Sequence, residues 1–280
     1  MAAESTRETE TPLHVTYDAP VIVRPARDTD YATFVALFAE LGVDDPVLDE
    51  TRFRAEIVPT MLVAEDGAPV GYAYFQLTAP LAYVRNVVTA PSARRRGVGR
   101  ALMGEVAERA RAAGCATWCL NVLRDNAAAI ALYEAVGLRV ARESTALEVP
   151  RHAVASAATA LVRPARADED VAAFLGTVPE QLVLARARGR TPYVLEEGGA
   201  IAGAAVFDPR FPGAFPIRVA RPELAPPLVG ALAALVPDEE RVHVTFEGDP
   251  AATAVLLALG AKVRFEMFHM RGALPAARAI

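Results

Sequence analysis

The chain has 280 residues, 53% of them hydrophobic, and a formal net charge of -5. That apolar content can fill two small cores and excludes wholesale disorder, while the negative balance argues against general nucleic-acid binding. A disulfide or metal scaffold is equally unexpected: the 2 cysteines, Cys115 and Cys119, share a face of a predicted strand, and His14, His152, His243 and His269 are scattered where a zinc site needs about four convergent ligands.

Residues 1–18 set Glu4, Glu8, Glu10 and Asp18 among small polar residues and read as a loose tail. No stretch has the pattern of a secretion signal or membrane span, so a cytoplasmic protein with no membrane partner is expected. A strand at 21–24 leads to a helix over 29–41, capped by Asp28, with Phe34, Leu37, Phe38 and Leu41 at helical spacing. A second helix covers 47–57. Strands at 61–64 and 70–78 form a hairpin about Asp66-Gly67, and a central strand follows at 83–89. A long helix over 97–113 presents Val98, Leu102, Val106 and Ala110 on one face. A strand at 117–121, a short helix at 127–136 and a strand at 138–147 complete the unit. The expected class is α/β, a mixed sheet flanked by helices on both faces.

A weak internal repeat divides the chain. Val23-Arg24-Pro25-Ala26-Arg27 recurs as Val162-Arg163-Pro164-Ala165-Arg166; residues 61–75 match 193–207, and 128–137 match 251–260. Three blocks in one order are the signature of two copies of a unit, the second shortened. The expected organisation is a tail at 1–18, a first domain at 19–150, a linker at 151–160, a second domain at 161–271 and a tail at 272–280.

The sharpest local feature follows the central strand. Between Asp66 and Glu105 the chain has no acidic residue, and Arg94-Arg95-Arg96-Gly97-Val98-Gly99-Arg100 opens the long helix there. A helix start offers unpaired N–H groups and the positive end of a dipole, glycines let an anion approach, and arginines add charge. A nucleotide-hydrolase phosphate loop needs Lys-Ser/Thr after its glycines, and a dinucleotide fingerprint needs a third glycine. Neither is present. The residues alone leave two readings, an anion cradle and a solvated arginine run before a helix cap.

The run Arg94 to Gly99, the upstream Asn86-Val87-Val88-Thr89-Ala90-Pro91, and the downstream Asn121, Asn126 and Ala129–Leu138 stretch with Tyr133 together resemble the GNAT superfamily of acyl-CoA-dependent N-acyltransferases. The resemblance covers about residues 21–148. It implies acetyl-CoA as donor, with the backbone of 95–100 and the side chains of Arg94, Arg95, Arg96 and Arg100 around its pyrophosphate. Val87 and Val88 would pair with the pantetheine arm, Asn126 would bond near it, and Val88 N–H would steady the oxyanion. Tyr133 would protonate the departing thiolate. The acceptor is expected to be an amine of a small molecule or peptide. Its pocket would be lined by Glu40, Asp44, Asp45, Arg85 and Asn86, and the central strand offers Arg85 and Asn86 where relatives often carry a basic glutamate. A non-catalytic acyl-CoA-binding sensor is the alternative, and monomer and homodimer both remain open.

The second copy resembles the same family as a worn duplicate. Its would-be phosphate loop reads Arg221-Pro222-Glu223-Leu224-Ala225-Pro226-Pro227, where prolines remove donors, and Leu256 replaces Tyr133. It is expected to fold and to be catalytically silent.

Overall fold

The computed structural model describes residues 21–42, 46–157, 161–166 and 170–276. The expected tail at 1–18, and Asp44 and Asp45, lie outside them. The first copy runs β1 (Ile22–Pro25), α1 (Tyr31–Phe38), α2 (Glu50–Arg52), β2 (Met61–Asp66), β3 (Ala68–Thr78), β4 (Leu81–Thr89), α3 (Val98–Ala112), β5 (Thr117–Leu123), α4 (Ala127–Ala135) and β6 (Arg139–Pro150). After α5 (Arg151–Val154) the second copy repeats the order: β7 (Val162–Pro164), α6 (Val171–Leu175), α7 (Pro179–Ala187), β8 (Thr191–Glu197), β9 (Ala200–Asp208), β10 (Gly213–Val219), α8 (Ala225–Ala233), β11 (Arg241–Glu247), α9 (Pro250–Ala258) and β12 (Lys262–Ala273).

All twelve strands join one sheet, in the order β1-β2-β3-β4-β5-β12-β6-β11-β10-β9-β8-β7. Adding six to each strand number reverses that order, so the sequence repeat has become a pseudo-twofold through the β12–β6 pair. The copies have exchanged their last strands. β12 pairs with β5 from Met267↔Leu123 to Ala273↔Thr117, and β6 pairs with β11 from Ser144↔Glu247 to Pro150↔Arg241.

Contacts at the centre define the faces. Glu247 and His269 touch, at 3.2 Å, while their neighbours Phe246 and Met270 point the other way, into the cores beneath α8 and α9 and beneath α3 and α4. One face of the sheet therefore carries α3, α4, α8 and α9. The other carries α1 and the segment around Phe53 on the first copy, and α6 and α7 on the second. Fully buried Val98, Leu102, Val106 and Ala110 form the predicted stripe of α3.

Several local expectations are corrected. Asp28 begins a short 3-10 turn, and Asp30 does the capping: its carboxylate accepts from Arg27 N–H at 2.7 Å and pairs with Arg24 at 2.8 Å. The helix expected at 47–57 is α-helical only over Glu50–Arg52, with Asp49 accepting from Arg52 N–H. It then widens into a π turn, Phe53–Ile57, which buries both end residues and stacks Phe53 on Phe34 with centroids 5.0 Å apart. Cys115 and Cys119 do not share a face, because β5 starts only at Thr117. Cys115 packs in the core beneath α3, and Cys119 faces the opposite side. The stretch after residue 150 is helical, with Val154 buried in the second copy's core, and β12 extends two residues past residue 271.

Candidate active site

The site begins with a fault in β4. Tyr74 pairs with Asn86 but Phe75 pairs with Val84, so Arg85 is an extra residue, a β-bulge that bends the strand. Val84 and Val87 both pack toward α3, which places Arg85 and Asn86 on the opposite face. The parallel ladder to β5 covers only Leu81↔Thr117, Ala82↔Trp118 and Tyr83↔Cys119. Beyond it β4 runs on to Thr89 and β5 to Leu123 without pairing to each other, leaving a fork.

The pleat decides which backbone faces this fork. Ala90 N–H donates to Val70 O at 2.8 Å, in register with the pairs Thr89↔Gly71 and Val88↔Tyr72. Bonded pairs alternate in an antiparallel ladder, so Val88, two residues from Ala90, also turns its N–H and C=O toward β3. Val87 and Thr89 turn theirs to the fork. Val88 N–H, the expected oxyanion donor, is thus turned away from the fork while Val87 N–H faces it; the Val88 side chain is buried against Phe34 and Tyr72.

At the mouth of the fork lies the arginine–glycine stretch. Arg95 (φ 62) and Gly97 (φ 82) are left-handed and fold the loop into a concavity before α3. Among the described residues no N–H from Arg95 through Arg100 meets a protein acceptor, the first bonded one being Ala101 N–H on Gly97 O. Arg94 pairs with Glu40 at 2.8 Å and Arg96 with Asp66. These exposed pairs are weak and exchange readily for a stronger anion. Arg95 and Arg100 make no ion pair among the described residues. Gly99 has a separate reason to be glycine: a Cβ there would sit 2.8 Å from Leu132 Cδ2 of α4.

That contact seats α4 beside the fork. Asn126 caps α4, its Oδ1 accepting from Ala129 N–H at 3.0 Å, which leaves its amide N–H groups free. The Tyr133 ring is packed in the core beneath α3, and burial lifts its hydroxyl well above the ordinary tyrosine value. The hydroxyl has no partner among the described residues, yet it is not sealed from solvent. Such a group stays protonated at neutral pH and suits a proton donor.

The second copy keeps a bulge in β10 and a capped α9, but lacks the open fork, the glycine loop and the tyrosine. Its parallel ladder runs from Gly213↔His243 to Ile217↔Phe246, almost to the strand ends, so the fork is zipped shut. Helix α8 opens on Ala225-Pro226-Pro227, short of donors, and Leu256 is fully buried at the Tyr133 position.

On the face of the sheet away from α3, a cavity of about 110 Å³ lies between the copies, against the closed end of the fork. Tyr83, Arg85 and Cys119 form one side, β11 and β12 supply Glu247, His269 and Arg271, and α7 roofs it. Burial pushes the Cys119 thiol up to about 12, so it is not a thiolate. Glu40, in the 3-10 turn after α1, pairs with Arg94 and does not line the cavity. His269, on the exchanged strand, is opposite Asn121 in register. Its Nδ1 lies 3.0 Å from Asn121 Oδ1 and 3.2 Å from Glu247 Oε1. Two acceptors place a proton on Nδ1, and Nε2 is the ring nitrogen left without a partner among the described residues. Burial opposes ionisation of Glu247, but bonding and charge from His269 and Arg142, with Asn121, outweigh it and hold the carboxyl below its usual range. Sequence reading missed this pair. They lie more than 120 residues from Asn121, in the copy expected to be silent, and only the strand exchange brings them here.

The fold and site define an α/β protein with a loop of unpaired N–H groups at a forked parallel strand pair. Residues 26–138 match the model of the acetyltransferase (GNAT) family. Over 79 residues the chain is 35% identical to the ribosomal protein bS18-alanine N-acetyltransferase of Escherichia coli strain K12. The match covers 28% of this chain and 53% of that one, so the chain spans about half the length of such curated relatives. Two solved structures share the whole fold. A Pyrococcus horikoshii protein superposes with TM-score 0.69 at 13% identity over 94% of both chains, and a tandem GNAT protein from the clavulanic acid biosynthesis pathway with TM-score 0.59 at 20% identity, over 91% of this chain and 99% of that one. Among the described residues no helix is long and apolar enough to cross a membrane.

Proposed function

We propose that the protein transfers an acetyl group from acetyl-CoA to a primary amine of a small molecule or peptide, at one site in the first copy. The observation that carries this reading is the row of unpaired N–H groups from Arg95 to Arg100 at the mouth of an open fork, a combination that the second copy lacks. The cradle holds the pyrophosphate, with Arg95 and Arg100 free to add charge. The pantetheine arm lies in the fork as an added strand against the outward edge of β4, within reach of the free Asn126 amide.

The amine attacks the thioester carbonyl directly. Val87 N–H, turned to the fork, bonds the developing oxyanion. His269, oriented by Glu247 and Asn121, takes the proton from the attacking nitrogen. The carbon–sulfur bond breaks and Tyr133 protonates the leaving thiolate. The second copy supplies no donor site in this scheme. It contributes the histidine and a wall of the acceptor cavity.

Turnover of acetyl-CoA with a panel of amines, in the native protein and Tyr133→Phe, tests the reading. The expected result is a fall in kcat of about 10²-fold with acetyl-CoA affinity kept. An unchanged kcat removes Tyr133 from the mechanism, and absence of acetyl-CoA binding in the native protein removes the donor assignment.

A further inference from the structure

The cavity between the copies has a lopsided charge. Its lining holds Arg85, Arg142, Arg188, Arg190 and Arg271 against a single carboxylate, Glu247. Glu247 is itself shared between His269 at 3.2 Å and Arg142 at 3.6 Å. Arg190 reaches Asp208 at 3.1 Å, just outside the lining. The other three have no carboxylate among the described residues. Arg85 lies over the Tyr83 ring at 4.7 Å, Arg188 donates to Tyr74 Oη at 3.2 Å, and Arg271 makes no side-chain bond.

Such an arrangement costs free energy when empty. The charges of Arg85 and Arg190 oppose each other across the space, and burial together with Arg85 lowers the pKa of Arg190. A multivalent anion relieves that repulsion and meets guanidinium forks suited to carboxylate or phosphate. A bare alkylammonium does not: it would add a positive charge to a positive cavity. Glu40, expected in an acidic acceptor pocket, does not line this cavity.

Resting on the donor reading above, we infer that this cavity is the acceptor site, and that it selects amines carrying carboxylate or phosphate groups, the anion held by Arg85, Arg188 and Arg271 and the amine presented to His269 Nε2. Its position fits: Arg85 is the bulged residue beside the fork, and His269 is one strand beyond it. The three arginines come from β4, the C-terminal cap of α7 and β12, so both copies hold one ligand.

Matched amines test this in the native protein: β-alanine against β-alaninamide, glutamate against glutamine, and phosphoethanolamine against ethanolamine. Thiol release and calorimetry are read in parallel with acetyl-CoA titration. At least one anionic member is expected to exceed its neutral partner about 10-fold or more in kcat/KM, and comparing the carboxylate and phosphate arms identifies the preferred anion. Arg85→Gln, and separately the exposed Arg271→Gln, should narrow that ratio several-fold while acetyl-CoA affinity and thermal midpoint hold. Neutral partners reacting equally well, or no anionic amine binding or reacting while acetyl-CoA binds, overturns the inference and leaves the donor site standing. Anionic amines that bind and are weakened by Arg85→Gln in a protein that does not bind acetyl-CoA would sink the donor reading instead, and keep this one.

Discussion

At the scale of single residues, His269 shows how a side chain acquires a role through its partners. Held by Asn121 Oδ1 and Glu247 Oε1, its Nδ1–H is fixed and its Nε2 is pointed by the ring geometry rather than by chance. Replacing His269 with Gln keeps a polar group of similar length but removes the base proposed above. The expected loss in kcat is about 10²- to 10⁴-fold, with acetyl-CoA affinity unchanged, because the cradle lies on the other side of the fork. Turnover reduced less than about threefold would assign the proton transfer to another group. The sequence disclosed this half of the chemistry poorly. Arg94 to Gly99 and Tyr133 could be read because they sit in one local pattern. Glu247 and His269 belong to no such pattern. That Val87 and not Val88 turns its N–H to the fork was hidden for a different reason: which way an N–H points in a strand depends on its partner's register and on the Arg85 bulge, and neither is encoded in the strand's own residues.

Between elements, two glycines set how closely α3 can approach its neighbours. A Cβ at Gly71 would lie 2.6 Å from Val88 O and 3.0 Å from Val98 Cγ1. The first of these is ladder backbone and cannot move without bending β4, the strand that presents Val87 to the fork. At Gly99 the obstacle is Leu132 Cδ2 at 2.8 Å, the end of a side chain that can rotate. Gly71→Ala is therefore expected to cost about 2–3 kcal/mol, overpacking outweighing any gain from a less flexible unfolded chain, and to weaken acetyl-CoA binding as well. Gly99→Ala should cost about 1 kcal/mol or less. Denaturant midpoints of the two variants give the comparison, and equal losses would mean that Leu132 is as fixed as the strand. At this scale the sequence was more informative. The stripe of α3, the hairpin at Asp66-Gly67 and the helix stops at Gly137 and Gly260, both with positive φ, follow from local periodicity and turn chemistry. The π turn at Phe53 does not, since only the fit of Phe53 against Phe34 selects it.

For the whole molecule, the repeat was visible in three aligned blocks, and its consequences reach individual ion pairs: Arg24 with Glu65 recurs as Arg163 with Glu196. What the blocks could not show was the exchange of last strands. Two copies with exchanged or retained strands have the same hydrophobic pattern, and pairing across the dyad is a property of the assembled sheet. The exchange couples the copies. β5 of the first copy is completed by β12, and β11 of the second by β6, so neither half can unfold without stripping a strand from the other. The single tryptophan, Trp118, is fully buried on β5 of the first copy and reports this coupling. Leu228, on α8, is fully buried in the second copy, in a core that does not include Trp118. Leu228→Ala should cost about 2–5 kcal/mol, and the Trp118 fluorescence transition should shift by that full amount, coincident with loss of far-ultraviolet dichroism. If the fluorescence midpoint stayed in place while the dichroism split into two steps, the copies would be folding independently. The second copy would then be a neighbour of the active site without being part of its framework.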